Sequence, residues 1–226
     1  MNQPPTIRLH LYLAADAQRG VILRQGPTKC FCMIGWDTKT DTFEIGQWLK
    51  QKIYTERCDI SPDGQYFLYF VLNGRWQSKA KRTHTVISRV PYFTALALYP
   101  EGSTWAGGGY FVDKESYHIN SIGRSKDLVG KLPGLRRVDG MPAPAPSLFR
   151  DLGTRVFQSF STPPEPDPSP TVLEQIDAVM ACKEQYHTDG PLLYRKTKDG
   201  GLDLIGDFSD MQFESVIAPY EGGVPE

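Results

Sequence analysis

Residues 54–72 read YTERCDISPDGQYFLYFVL, and they join the clearest turn signal in the chain to its strongest strand signal. In Ser61-Pro62-Asp63-Gly64, proline presets φ for the first central turn position. Glycine then supplies the left-handed conformation that closes a hairpin turn. Every residue from Tyr66 to Leu72 is apolar or aromatic, whereas a strand with one wet face would alternate. This strand is therefore expected to be buried on both faces, with other elements covering each side.

On the N-terminal side, Ile7, Leu9, Leu11 and Leu13 alternate with Arg8, His10 and Tyr12. That pattern predicts a strand with one face in the core and His10 pointing outward. Short strands follow over 20–23 and 30–36, and the polar cluster 37–42 predicts a hairpin returning over 42–48. On the C-terminal side, 73–82 reads as a loop holding Asn73-Gly74, and 83–90 as a strand. The segment YFTALALY (92–99) lies between Pro91 and Pro100, is short for a helix, and is read as a strand. Another short strand is expected over 110–112.

From Gly123 onward prolines and glycines break the pattern, and STPPEPDPSP (161–170) is a proline-rich connector. One strand is expected over 154–160. Thr171-Val172-Leu173-Glu174 is a capping box, and Val172, Leu173, Ile176, Val179 and Met180 recur at helical spacing. Residues 171–185 are thus the one predicted helix. Leu192–Lys196 and 202–208 flank Thr197-Lys198-Asp199-Gly200-Gly201 as a hairpin, and 212–218 is expected to add a last strand. The domain reading is a strand-rich body over 1–160, the connector 161–170, and a helix-plus-hairpin piece over 171–226 that packs on the body.

CDISPDGQYFLYFV resembles the SPDG-plus-apolar-strand signature of WD40-like, TolB-type β-propeller repeats, over about one blade. In such a repeat the strand sits between neighbouring blades, which accounts for its two-sided apolarity. The set GQWLK, RCDISPDG, SRVPYFTALALYP and FESVIAPY also resembles a group of uncharacterised bacterial proteins, a likeness that implies a fold and no activity. Blades take about 40–50 residues each, so the non-proline-rich part of the chain supplies three or four. The smallest closed rings have about four. The fold class expected is mainly β, a propeller-like or irregular meander of antiparallel sheets with one C-terminal helix.

A chain of 226 residues buries a core without staples. Its net charge of −1, from 25 basic and 26 acidic residues, gives no reason to expect a nucleic-acid partner. No stretch has the composition of a secretory leader or a membrane span, so a cytoplasmic location without membrane association is expected. Cys30, Cys32, Cys58 and Cys182 are too irregular for a disulfide framework and are expected as reduced thiols. Cys30 and Cys32 lack the second pair a zinc site needs, so no metal or other cofactor is expected.

Candidate chemistry was weighed residue by residue. His10, His84, His118 and His187 are scattered, and Cys58 with His84 or His118 is the sole thiol–base arrangement that can be written. Asp37, Asp41, Asp59 and Asp63 cluster around two hairpins, where Asp37 and Asp63 have turn roles ready. Trp105-Ala106-Gly107-Gly108-Gly109 lacks the lysine and helix of a phosphate loop and reads as a bulged start to a strand. Lys79, Lys81 and Arg82 read as a solvated loop tip. The aromatics Trp36, Trp76, Tyr92, Trp105 and Tyr110, near strand ends and loops, are the candidate binding residues, with interior packing as the competing role. The expectation is a noncatalytic binding protein whose partner is a protein or a small polar ligand. The alternative is a hydrolase-type enzyme whose polar residues converge at one end of the sheets.

Overall fold

The structure, a computed structural model, describes residues 6–75, 77, 82–121, 129–130, 132, 134–140 and 184–220. Of these, 49 % lie in strands and 3 % in helical turns, and none of the sheets closes into a barrel. The connector 161–170, the strand expected over 154–160 and all but the last two positions of the helix expected over 171–185 lie outside the described residues. No helix among the described residues is long and apolar enough to cross a membrane.

The first sheet is an antiparallel meander of β1 (Arg8–Leu13), β2 (Arg19–Gln25), β3 (Phe31–Asp37) and β4 (Thr42–Leu49), in that order. The chain then runs through β5 (Lys52–Ile53), a 3-10 turn (Thr55–Arg57) and β6 (Asp59–Ile60) into the SPDG turn. Next come β7 (Tyr66–Leu72), β8 (Thr83–Arg89) and β9 (Ala95–Pro100), then β10 (Gly109–Phe111) and β11 (Ser116–Ile119). The last strands are β12 (Val129–Gly130), β13 (Arg136–Arg137), β14 (Tyr186–Asp189), β15 (Leu192–Lys196) and β16 (Leu202–Asp207). The second sheet has the order β12-β9-β8-β7-β5, with β6 also on β7; the third is β10-β11-β13 and the fourth β14-β15-β16.

β7 is covered on both faces, as its composition requires. Phe67, Tyr69 and Val71 join Tyr12, Val21, Leu23, Phe31 and Met33 of the first sheet in one core cluster. Leu68, one step out of phase, joins Ile87, Ala97 and Tyr99 with Phe111, Tyr117 and Ile119 of the third sheet. The first sheet's other face sends Leu9, Ile22, Cys32, Ile34 and Trp36 against Tyr186, Leu193 and Phe208. The sheets therefore stack face to face in the order fourth, first, second, third. Period-2 alternation allocates successive residues to different interfaces, and each large side chain so buried contributes about 1.5–3 kcal/mol.

Several sequence expectations need correction. β1 does not have one wet face: Tyr12 is fully buried against the edge of Phe67, and its hydroxyl donates to the carbonyl of Thr55 at 2.7 Å. His10 does not point freely outward either, but is half-buried with Nε2 2.9 Å from Gln25 Oε1. A second sheet over β1 covers the face that the pattern assigned to water. The strand read over 92–99 begins at Ala95, because Tyr92 N–H closes a turn onto Arg89 and Thr94 is held by the side chain of Gln47. Residues 212–218 form no strand. They run as a strap beside β4, held where Gln47 Nε2 donates to Val216 O at 2.8 Å and Trp48 faces Phe213.

Candidate functional site

The local chemistry of the SPDG turn places one end of the two central sheets. Ser61 Oγ donates to Asp63 Oδ1 at 2.6 Å, the Gly64 N–H donates to Ser61 O at 2.8 Å, and Gly64 has φ +71°. Ser61 Oγ also accepts the N–H groups of Gln65 and Tyr66. Beside this turn a cleft of about 560 Å³ opens between the first sheet and the β7–β8 end of the second. Arg19, Trp36, Asp37, Glu44, Gln65, Arg89 and Pro91 line it.

Glycines set its shape. Gly20, Gly35 and Gly64 form part of the wall, and a Cβ on Gly64 would meet Arg19 Cβ at 2.7 Å. At Gly46 a Cβ would lie 1.9 Å from Pro91 O. Its absence lets the β8–β9 loop approach β4 closely enough for the Gln47 N–H to donate to that carbonyl at 3.1 Å.

The carboxylates around the cleft have partners. Asp37 Oδ1 accepts the N–H groups of Lys39 and Thr40 at 2.9 and 3.2 Å, which holds its carboxyl below the ordinary carboxylate range. Glu44 Oε1 accepts the Tyr92 hydroxyl at 3.3 Å. Arg89 lies with Cζ 5.6 Å from the ring centre of Tyr220, whose hydroxyl donates to Thr94 O at 2.8 Å. The cleft is thus an open, polar recess with guanidinium, carboxylate, amide and indole groups on its rim.

No protein family, curated protein or solved structure matches the chain. What the site can do rests on its own geometry.

Of the candidate binding aromatics, the structure brings one into the wall of this cleft and a second beside it. Trp36 lines it but is only 2 % exposed, with its ring against Phe43 and Tyr186 and its Nε1–H donating to Asp41 Oδ1 at 3.3 Å. Tyr92 reaches it through Glu44. Trp105 lies elsewhere at 77 % exposure, and Tyr110 is buried with its ring 5.0 Å from that of His118 on the third sheet. Trp76, Lys79 and Lys81 lie outside the described residues.

The thiol–base arrangement does not form. Cys58 is buried in the core cluster, its Sγ directed at the carbonyl of Tyr54, and burial pushes its thiol far above the ordinary range. His84 is on β8 and His118 on β11; burial lowers both, His84 to about 4. Cys32 is fully buried and its thiol is pushed up to about 12 by burial, while Cys30 is half-buried just before β3. Among the described residues no cluster of three His, Cys, Asp or Glu could hold a metal ion.

Asp59 and Asp41 tie sheets together. Asp59, 1 % exposed, accepts the Phe111 N–H at 2.8 Å and ties the second sheet to the third. Asp41 pairs with Arg195 of the fourth sheet at 2.9 Å. In the glycine loop, the Gly107 N–H donates to Asn120 O and the Gly108 N–H to Thr85 Oγ1, so both amides are spent inside the fold. Gly107 is required because a Cβ there would lie 2.1 Å from Phe70 Cε2.

Arg19, Glu44, Gln65 and Arg89 were not singled out by the sequence. They lie at or near the ends of four strands, up to 70 positions apart, and no spacing rule links them. The one signal that leads to them is the SPDG turn, against which Arg19 and Gln65 are placed.

Proposed function

We propose that the chain is a cytoplasmic, noncatalytic binding protein built on propeller-like stacked sheets, and that the cleft beside Gly64 takes a small polar ligand. The observation that carries this reading is the cleft's composition. It is lined by charged and amide groups from two sheets, while the thiol of Cys58 and the imidazoles of His84 and His118 lie elsewhere, the first two buried and the third half-buried. The face-to-face order of the four sheets supports the propeller-like description, since β7 sits between neighbours on both sides as a blade strand would. The free thiols of Cys30, Cys32 and Cys58 support a reducing compartment.

The test is an amide NMR titration of the purified protein with a panel of polar metabolites, run beside a turnover assay on the same panel. Shifts of Gly20, Gly35 and Gly64 without turnover are expected. Turnover of any panel compound would overturn the noncatalytic assignment.

One observation favours the hydrolase alternative. Burial pushes the carboxyl of Glu101 up to about 7, suited to proton transfer near neutrality, and Ser121 Oγ donates to it at 2.9 Å. This carboxyl follows β9, on the side of the second sheet that faces the third. Loss of a detected activity in Glu101→Gln, with the fold intact, would move the assignment to this reading.

A further inference from the structure

Resting on the proposal that the cleft binds a small polar ligand, we infer that Arg19 and Arg89 together receive one oxyanion group of that ligand, a carboxylate or a phosphate. Both arginines are among the residues that line the same recess, one at the start of β2 and one at the end of β8. The SPDG turn separates them: Arg19 packs its Cβ side against Gly64, and Arg89 is the register partner of Tyr66 just beyond the turn.

Neither guanidinium forms an ion pair with a carboxylate among the described residues. The reason is local. Asp37 is the cross-strand partner of Arg19, but its carboxylate is turned into its own hairpin by the Lys39 and Thr40 N–H groups. Glu44, the other carboxylate on the rim, is engaged by the Tyr92 hydroxyl. An entering oxyanion would meet two arginines that have no carboxylate pair of their own among the described residues.

The arrangement also has direction. Arg89 is braced by the Tyr220 ring, and the Tyr220 hydroxyl accepts the backbone N–H of Arg89 at 3.3 Å and donates to Thr94 O. A guanidinium held on an aromatic face keeps its planar fork available for two parallel N–H···O bonds to a carboxylate or phosphate. Gln65 offers an amide on the same wall, and Glu44 and Asp37 lie on the β3–β4 wall. The recess is therefore fitted to a ligand whose anionic end meets the arginines and whose neutral or cationic remainder meets the carboxylates.

The experiment is an amide NMR titration of the whole chain with inorganic phosphate, with succinate and, as opposite-charge control, with ethylammonium. Phosphate or succinate should shift Gly20, Gly35 and Gly64 while leaving Gly107 and Gly108 unmoved. Each of Arg19→Gln and Arg89→Gln should weaken the effective anion by about tenfold, the loss of one charge-assisted pair. Arg89→Lys, which keeps the charge and loses the fork, should recover part of that loss.

Response to succinate alone assigns a carboxylate ligand, and response to phosphate alone a phosphate. Absence of both responses, or responses unchanged in the Arg19→Gln/Arg89→Gln protein, overturns the inference. If only ethylammonium or neutral panel compounds shift the cleft glycines, the binding reading stands and the oxyanion assignment falls. Thermal melts of the variants, expected to match the parent because both side chains are exposed, separate loss of binding from loss of fold.

Discussion

Arg24 Nε donates to the carbonyl oxygen of Phe208 at 2.7 Å, joining positions 184 residues apart in the sequence. The same guanidinium donates to Gly26 O at 2.9 Å and to Ser209 O at 3.3 Å, and Arg24 is only 2 % exposed. It lies on the β2 face that packs on the fourth sheet, where a charge is tolerated because several carbonyls converge on it. Arg24→Met keeps the stem and removes every donor, leaving buried carbonyls without partners. The expected loss is on the order of 2–3 kcal/mol, read as a lowered midpoint in urea denaturation. A midpoint within error of the parent would mean that the end of β16 is not anchored here.

Gly64 and Gly74 both have positive φ, +71° and +73°, but different surroundings. A Cβ at Gly64 would meet Arg19 Cβ at 2.7 Å and Ala14 Cβ at 3.3 Å, whereas a Cβ at Gly74 meets nothing within 4 Å. Gly74→Ala should therefore cost about 1 kcal/mol, the strain of the left-handed backbone alone. Gly64→Ala should cost clearly more, and Gly64→Val more again. Equal costs at the two positions would show that crowding by Arg19 contributes nothing.

Stability should depend on pH through two opposed groups. Burial lowers His84 to about 4 from its ordinary 6.5. Between those values the unfolded chain binds the proton and the folded chain does not, so stability falls as pH drops from 6.5 towards 4, by on the order of 3 kcal/mol. His10 and His118, also lowered by burial, act with the same sign. Glu101 acts in the opposite sense: raised to about 7 from 4.5, it favours the folded state when protonated, and that contribution is lost as pH rises from 4.5 through 7. Denaturation midpoints across pH 4–8 should show His84→Phe with a shallower acid limb and Glu101→Gln with a smaller loss towards neutrality. Slopes identical to the parent would show that neither group is shifted.

The fourth sheet should stay on the first without a covalent link through the chain. Tyr186, Leu193 and Phe208 pack against Ile22, Ile34 and Trp36, and Arg195 pairs with Asp41 at 2.9 Å while also donating to Thr38 O at 3.0 Å. A specific protease site inserted within 161–170 and cleaved should yield fragments that co-elute in gel filtration and separate only in denaturant. A three-stranded piece has too little face to be stable alone. Independent folding of the released C-terminal fragment would overturn this expectation.

Most of the longer strands and the decisive turn were legible in the sequence, although β11 and β14 were not and the strand expected over 212–218 does not form. Local rules suffice for that: only glycine takes the φ of position 64 without strain, and an unbroken apolar run from Phe67 to Val71 has to be covered twice. The hairpin around 197–201 was legible for the same reason, as were the turn roles of Asp37 and Asp63. Which sheet covers which face was not legible there. Tyr12 and Arg24 occupy positions that alternation assigned to water or left unmarked, and they are buried because a neighbouring sheet or the end of β16 arrives there. The same holds for the site. Trp36 and Tyr92 were visible as aromatics near strand ends, but Arg19, Glu44 and Arg89 become a recess only when β2, β4 and β8 end side by side. Strand periodicity records which residues share a face of one strand; it carries no information on the partner sheet, because burial of apolar area is non-directional.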